Sequence, residues 1–254
     1  MDYTKYCALT YNNKLLDQII DGYTTINVEG RGLTSRALTT VEVPGRDGNI
    51  TLNQKIEAKD IIVHYYLTAD NNNQFLGRIN ELHELLKTDS DVEFSFGDER
   101  DFSSEKGFYR VGRLSTVTNP PYDNYKGQGT FILHCSDPYR YKSIRTLVGK
   151  ELMVPGSSVY PYKIKKITTT ISADRTGFQI SNNTTARKII LLGDFSVGQK
   201  LVINPEAGTI TLNNQNIKNR LNFIYSDWHE FVLNASDTIT ADESITIELE
   251  ERAL

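Results

Sequence analysis

Residues Phe131 to Cys135 form a strand-like apolar run that ends at Asp137-Pro138, with Tyr139, Arg140 and Tyr141 beyond it. At a strand's period of two, Phe131, Leu133 and Cys135 share one face and Ile132 and His134 the other, so both faces of the predicted strand can pack. The proline lacks a backbone donor and fixes φ, while Asp137 can hydrogen-bond back into the turn it starts. The pattern before this stop differs from the pattern after it, which predicts a seam between two domains, 1–145 and 146–254.

Before the seam, Thr39 to Val43 alternates, and Ile50 to Leu52 alternates again after Pro44-Gly45-Arg46-Asp47-Gly48. This predicts a hairpin whose loop has a proline to preset φ and two glycines able to take positive φ. Further strands are predicted over 61–67, 91–96 and 108–117, the last ended by Asn119-Pro120-Pro121. Leu15, Leu16, Ile19 and Ile20 fit a helical turn or a strand equally. Phe75, Ile79, Leu82 and Leu86 recur at i, i+4, i+7 and i+11, flanked by Leu76 and Leu85, and predict a helix over 71–87. Asp70 or one of Asn71 to Asn73 can cap its start, and Lys87 suits the negative end of its dipole. A one-sided helix among strands must cover a sheet.

After the seam, Val154 to Ser158 reads as a turn or linker, and short strands follow at 163–171, 188–192, 201–203, 209–212, 231–233 and 244–249. Their spacing is that of a β-sandwich. Asn204-Pro205-Glu206-Ala207-Gly208 forms the clearest hairpin turn, with Pro205 at the second position and Gly208 left-handed. The fold class expected is mainly β with one helix: an N-terminal β-sandwich-plus-helix domain followed by a C-terminal β-sandwich.

Composition narrows the function. With 39% hydrophobic and 24% charged residues and 14 Tyr, the chain is globular and leans to strands. A net charge of -4 supplies no basic footprint for holding nucleic acid, so DNA that passes nearby is not expected to stick. Cys7 and Cys135 have no metal or redox spacing and read as two buried free thiols. No apolar run approaches the roughly 20 residues that span a bilayer and no apolar signal core follows Met1, so synthesis in the cytoplasm and no membrane partner are expected.

Candidate chemistry is sparse. His64, His83, His134 and His229 lie in separate elements without metal-ligand spacing, which predicts no metal. His64 and His134 read as strand residues bonded within the fold, and His83 as lying on the helix's polar side. Asp89, Asp91, Glu93, Asp98, Glu99, Asp101 and Glu105 could supply a hydrolytic carboxylate pair, but mixed charges in an exposed loop are the ordinary reading. Gly193 to Lys200 fails as a phosphate loop, because Gln199 separates glycine from lysine and Leu201 stands where Ser or Thr is required. No Gly-x-Ser-x-Gly elbow exists. Neither an enzyme nor a cofactor is expected. Trp228 with Tyr225 is the best candidate sugar-binding patch, with core packing or a protein contact the ordinary reading of so large a side chain, and a carbohydrate-binding module acting at a cell wall is the alternative function.

Val41-Glu42-Val43-Pro44-Gly45-Arg46-Asp47-Gly48 and Asp137-Pro138-Tyr139-Arg140-Tyr141, in this order and at this distance, resemble the distal tail protein family of long non-contractile-tailed bacteriophages. The intervening helix, the Asn-Pro-Glu-Ala-Gly-Thr hairpin and the closing strand at Asp242 to Ile247 are similar too, and the length resembles short family members, including baseplate hub proteins of lactococcal phages. The resemblance implies a homo-hexameric ring formed by the first domain around a channel, and a galectin-like second domain facing outward. It implies as partners the tail tube protein, the tail-tip protein and baseplate or receptor-binding proteins, and it places the chain at the virion tail tip. Pro44, Gly45, Arg46, Asp47, Gly48, Asp137, Pro138, Tyr139 and Tyr141 are the expected structural or interface positions. Arg46 and Asp47 have hydrogen-bonding capacity for a neighbouring copy or for each other.

Overall fold

The computed structural model describes residues 4–99, 107–121, 125–156 and 158–254. It is mainly β, and it divides into two compact units, one ending at Arg140 and the other spanning Tyr141–Ala253. Arg145–Met153, which straddles the expected boundary at 145, is a strand paired along its length with Thr238–Glu250, so this stretch belongs to the second unit.

In the first unit, seven strands among the described residues form one sheet. From edge to edge they are Lys14–Leu15, Leu9–Tyr11, Val92–Phe96, Arg110–Thr118, Lys126–Cys135, Lys59–Thr68 and Tyr23–Glu29. Lys59–Thr68 and Lys126–Cys135 pair over their whole lengths, from Lys59 opposite Cys135 to Thr68 opposite Lys126. Along the second of these, Phe131, Leu133 and Cys135 are buried while Ile132 and His134 are half-buried, as strand period requires. The helix Asn72–Leu86 covers the sheet, burying Phe75, Ile79, Leu82 and Leu86. Asn71 caps it through a bond from the Gln74 backbone N–H (3.0 Å), satisfying an otherwise orphaned donor. Leu15 and Leu16, ambiguous in sequence, divide their roles: Lys14–Leu15 is a strand and Leu16–Ile19 a single helical turn.

Arg36–Glu42 and Asn49–Ile56 make the expected hairpin, paired from Arg36 opposite Ile56 to Glu42 opposite Asn49. It stands apart from the main sheet, with Leu38, Val41, Val43 and Leu52 exposed. Gly45 (φ +80°) and Gly48 (φ +78°) supply the left-handed conformations its loop needs.

The second unit is built on one curled sheet whose long strand Thr238–Glu250 pairs with Arg145–Met153, Lys163–Thr170 and Arg175–Asn182. Ile167, Phe178, Leu191, Ile203 and Ile247, from five different strands, belong to a single apolar cluster, so the sheet closes over its own core. The Lys200–Asn204 and Thr209–Leu212 hairpin turns through Gly208 at φ +64°. Residues 231–233, expected as a strand, make only a single bridge, Tyr162 to Leu233. Among the long strands of this unit, Arg145–Met153 and Arg175–Asn182 lay outside the expectation, as did the two-residue strand Gln215–Asn216. Each of the two long ones carries a register shift that breaks its alternation, at Gly149/Glu151 and at Thr176/Phe178.

Candidate assembly surfaces

The Pro44 to Gly48 loop is solvent-exposed throughout, and its turn is closed by the Arg46 backbone N–H bonding the Val43 carbonyl (3.2 Å). Arg46 and Asp47 therefore present their charges at the tip of a ribbon. At the other motif, Asp137 Oδ1 accepts from the Tyr139 backbone N–H (3.1 Å), which is the bond expected of an aspartate starting a turn. Pro138 and Tyr139 are half-buried. Tyr141 is buried, with Lys163 Nζ 4.9 Å and the Arg252 guanidinium 5.9 Å from its ring centre.

The acidic stretch is occupied by arginines. Asp91 pairs with Arg113 (2.6 Å), Asp98 with Arg31 (2.5 Å), and both carboxylate oxygens of Glu99 with Arg110 Nη1 (2.5 and 2.6 Å). The last pair is nearly sealed, with side chains 7% and 2% exposed, and Arg140 lies 3.9 Å from the same carboxylate with its guanidinium over the Phe108 ring (4.4 Å). This arrangement neutralises carboxylates; it does not poise two of them for hydrolysis. Asp101 and Glu105 lie outside the described residues. Nearby Lys59 is buried, and its pKa is lowered first by burial and then by the like charge of Arg110. Burial also pushes the Cys135 thiol up to about 12, so it is held as an inert thiol.

His64 bonds Glu29 (3.0 Å) and His134 bonds Asp60 (2.7 Å), while His83 is exposed on the helix's polar side. In the second unit, Trp228 is half-buried and packs against the core. The exposed residues are instead its neighbours Phe223, Ile224 and Tyr225 (66%, 85% and 63%). Their loop is held by the Asn222 side chain, which accepts from the Ile224 and Tyr225 N–H groups (both 3.3 Å). A run of three apolar residues between Asn222 and Ser226 is visible in sequence, but nothing in its periodicity separates an exposed tip from a buried strand.

Comparison with known proteins accounts for both halves of the chain. Residues 8–133 match the family described as phage tail protein RIFT-related domain, and residues 160–252 match the siphovirus-type tail component, C-terminal domain. The curated distal tail protein of Bacillus phage SPP1 is 26% identical over 242 residues, covering 93% of this chain and 92% of that one. The chain belongs to the distal tail protein family. Membership makes it a component of the virion tail and baseplate. The crystal structure of SPP1 Dit, described as a paradigm of hub adsorption apparatus in phages that infect Gram-positive hosts, shares the fold of this distal tail protein. Its TM-score is 0.81 at 20% identity, covering 97% of this chain and 99% of that one. A chain of the phage P2 baseplate aligns at a TM-score of 0.49 and 9% identity over 91% of each chain, too distant to carry an argument.

Proposed function

We propose that this distal tail protein is a non-enzymatic baseplate hub: six copies form a ring through the first unit, around a channel that DNA crosses. The ring joins the tail tube to the tail-tip protein, and the second unit faces outward, where it anchors adhesion or receptor-binding components. The observation that carries this reading is the free hairpin Arg36–Glu42/Asn49–Ile56. A two-stranded ribbon is marginal alone in water, and this one keeps Leu38, Val41 and Leu52 exposed, so it has apolar surface to give to an assembly partner. Repeating a chain of net charge -4 around a channel repels DNA in passage instead of retaining it.

Light scattering across a concentration series, with imaging of the largest species, tests the ring. Sixfold mass with a central hole is expected, and Arg46→Ala is expected to shift assembly to higher concentration with the fold intact. A chain that remains monomeric throughout sinks the reading. A second reading, a carbohydrate-binding module, is favoured by exposed Phe223 and Tyr225. Saturable binding of cell-wall saccharide that is lost in Tyr225→Ala would establish it.

A further inference from the structure

The segment from Gly30 to Thr34 is held more firmly than an ordinary surface loop. Buried Lys59 donates through Nζ to the Gly32 carbonyl (2.8 Å) and to the Thr34 side-chain Oγ1 (3.1 Å), holding the chain on both sides of Leu33. Arg31 is fixed by Asp98 (2.5 Å) and lies over the Phe96 ring (5.0 Å). Gly30, at φ +84°, runs so close to the Asp60 carbonyl that a Cβ would fall 2.2 Å from its oxygen. All of this anchoring displays one side chain. Leu33 is 106% exposed, so its side chain stands clear of the described residues. A buried lysine is costly to desolvate, and here its bonds are made to a loop whose outward product is an apolar knob.

Elsewhere in the same unit is a hole. Between the helix and the strands Arg110–Thr118 and Lys126–Cys135 lies a cavity of about 240 Å³, with Ile79, Leu82, Leu114 and Phe131 in its wall and His83 and Asn119 at polar positions of its lining. That volume exceeds the roughly 150 Å³ in which an apolar protein cavity holds benzene, so it accommodates a branched aliphatic side chain. Exposed Glu81 and Glu84 flank His83 on the helix, and exposed Arg36 follows Leu33 by three residues. Arg36 on the knob side is therefore opposite in sign to the two glutamates beside the hole, although Glu57 also stands on the knob side, its N–H bonded to the Ser35 carbonyl.

We propose that Leu33 of one copy enters the helix-side cavity of a second copy, with Arg36 facing the glutamates of the receiving helix. Knob and hole are different surfaces of one chain, so the contact is heterologous and runs head to tail, which is the class of contact that closes rings. The inference rests on the ring reading and names residues for one of its interfaces.

The test mixes two single variants, Leu33→Cys and His83→Cys, under mild oxidation, with wild type reporting any background from Cys7 and Cys135. A disulfide-linked dimer is expected only in the mixture, and a ladder of higher species in the double variant. In light scattering, Leu33→Asp should require on the order of 10–100-fold more protein to assemble, the effect of withholding one buried leucine. If Leu33→Asp assembles at wild-type concentrations and the mixed variants do not cross-link, the contact is overturned and the ring stands. A wild-type chain that is monomeric throughout, with no cross-link in the mixture, overturns both.

Discussion

Replacing Arg110 by methionine tests the electrostatic centre of the first unit. Its guanidinium, 2% exposed, makes two bonds of 2.5 and 2.6 Å to Glu99, itself 7% exposed. Taking away the cation leaves a carboxylate away from water, with Arg140 (3.9 Å, a third exposed) beside it and the weaker fields of Arg31 and Lys59 around it among the described residues. Breaking one side of such a pair costs about 3–5 kcal/mol, a large part of the roughly 5–15 kcal/mol that holds a domain folded. Removing both charges avoids the orphaned ion, so Arg110→Met with Glu99→Met should recover most of the loss. The assay is amide hydrogen exchange of the strands Lys59–Thr68 and Lys126–Cys135 over a urea series, which reads the stability of this unit directly. The only tryptophan, Trp228, lies in the second unit and would report elsewhere. A cost below about 1 kcal/mol for the single variant, or a double variant no better than the single, would refute the argument.

Two further outcomes follow from the packing and the pH response. A Cβ on Gly129 would fall 2.5 Å from the buried ring of Tyr65, which is stacked on Tyr23 (5.5 Å) and tilted against Phe131 (5.8 Å). Gly129→Ala should therefore lower stability by about 1–3 kcal/mol in urea unfolding, with partial rescue by Tyr65→Leu; a neutral or stabilising effect would show that the ring yields freely. Burial opposes ionisation of Glu243, but bonds from the Ser172 side chain and backbone, with Arg175 (2.6 Å) beside it, win and lower its pKa below the ordinary 4.5. A depressed folded pKa means that this stabilisation is present above the unfolded value and is lost as pH falls through the folded one. Glu243→Gln should thus flatten the acid limb of the urea midpoint against pH, and an unchanged slope would remove Glu243 from the account.

What could be read from the sequence was what depends on uninterrupted period. The helix stripe from Phe75 to Leu86 and the strand faces at Phe131 to Cys135 came through because each buries one regular face. Arg175–Asn182 did not, because a register shift beside Gly177 (φ +94°) breaks its alternation. Two short hairpins had a usable signal: Asn12-Asn13 and Asn213-Asn214 both take positive φ between paired strands, as the tightest hairpin turns require. For the candidate surfaces, sequence supplied the Pro44 to Gly48 turn and the Asp137 bond. It could not supply the grip of Lys59 on the Leu33 loop, because that contact joins residues whose proximity is decided by the pairing of Tyr23–Glu29 with Lys59–Thr68. The arginine partners of Asp91, Asp98 and Glu99 were equally invisible, since Arg31, Arg110 and Arg113 come from other strands or loops.

The strand Thr238–Glu250 gives the two units different histories during synthesis. Among the described residues, the first unit has every strand of its seven-stranded sheet by Cys135, so it can fold while the ribosome is still adding residues. The second cannot, because Arg145–Met153, Lys163–Thr170 and Arg175–Asn182 each wait for a strand made at least fifty residues later. Until it emerges, these strands expose unpaired backbone edges, the surfaces on which nascent chains mispair. An infected cell assembling many tails at once holds many such chains together. The emergence of Thr238–Glu250 therefore sets the interval in which this half of the protein depends on dilution or on chaperones.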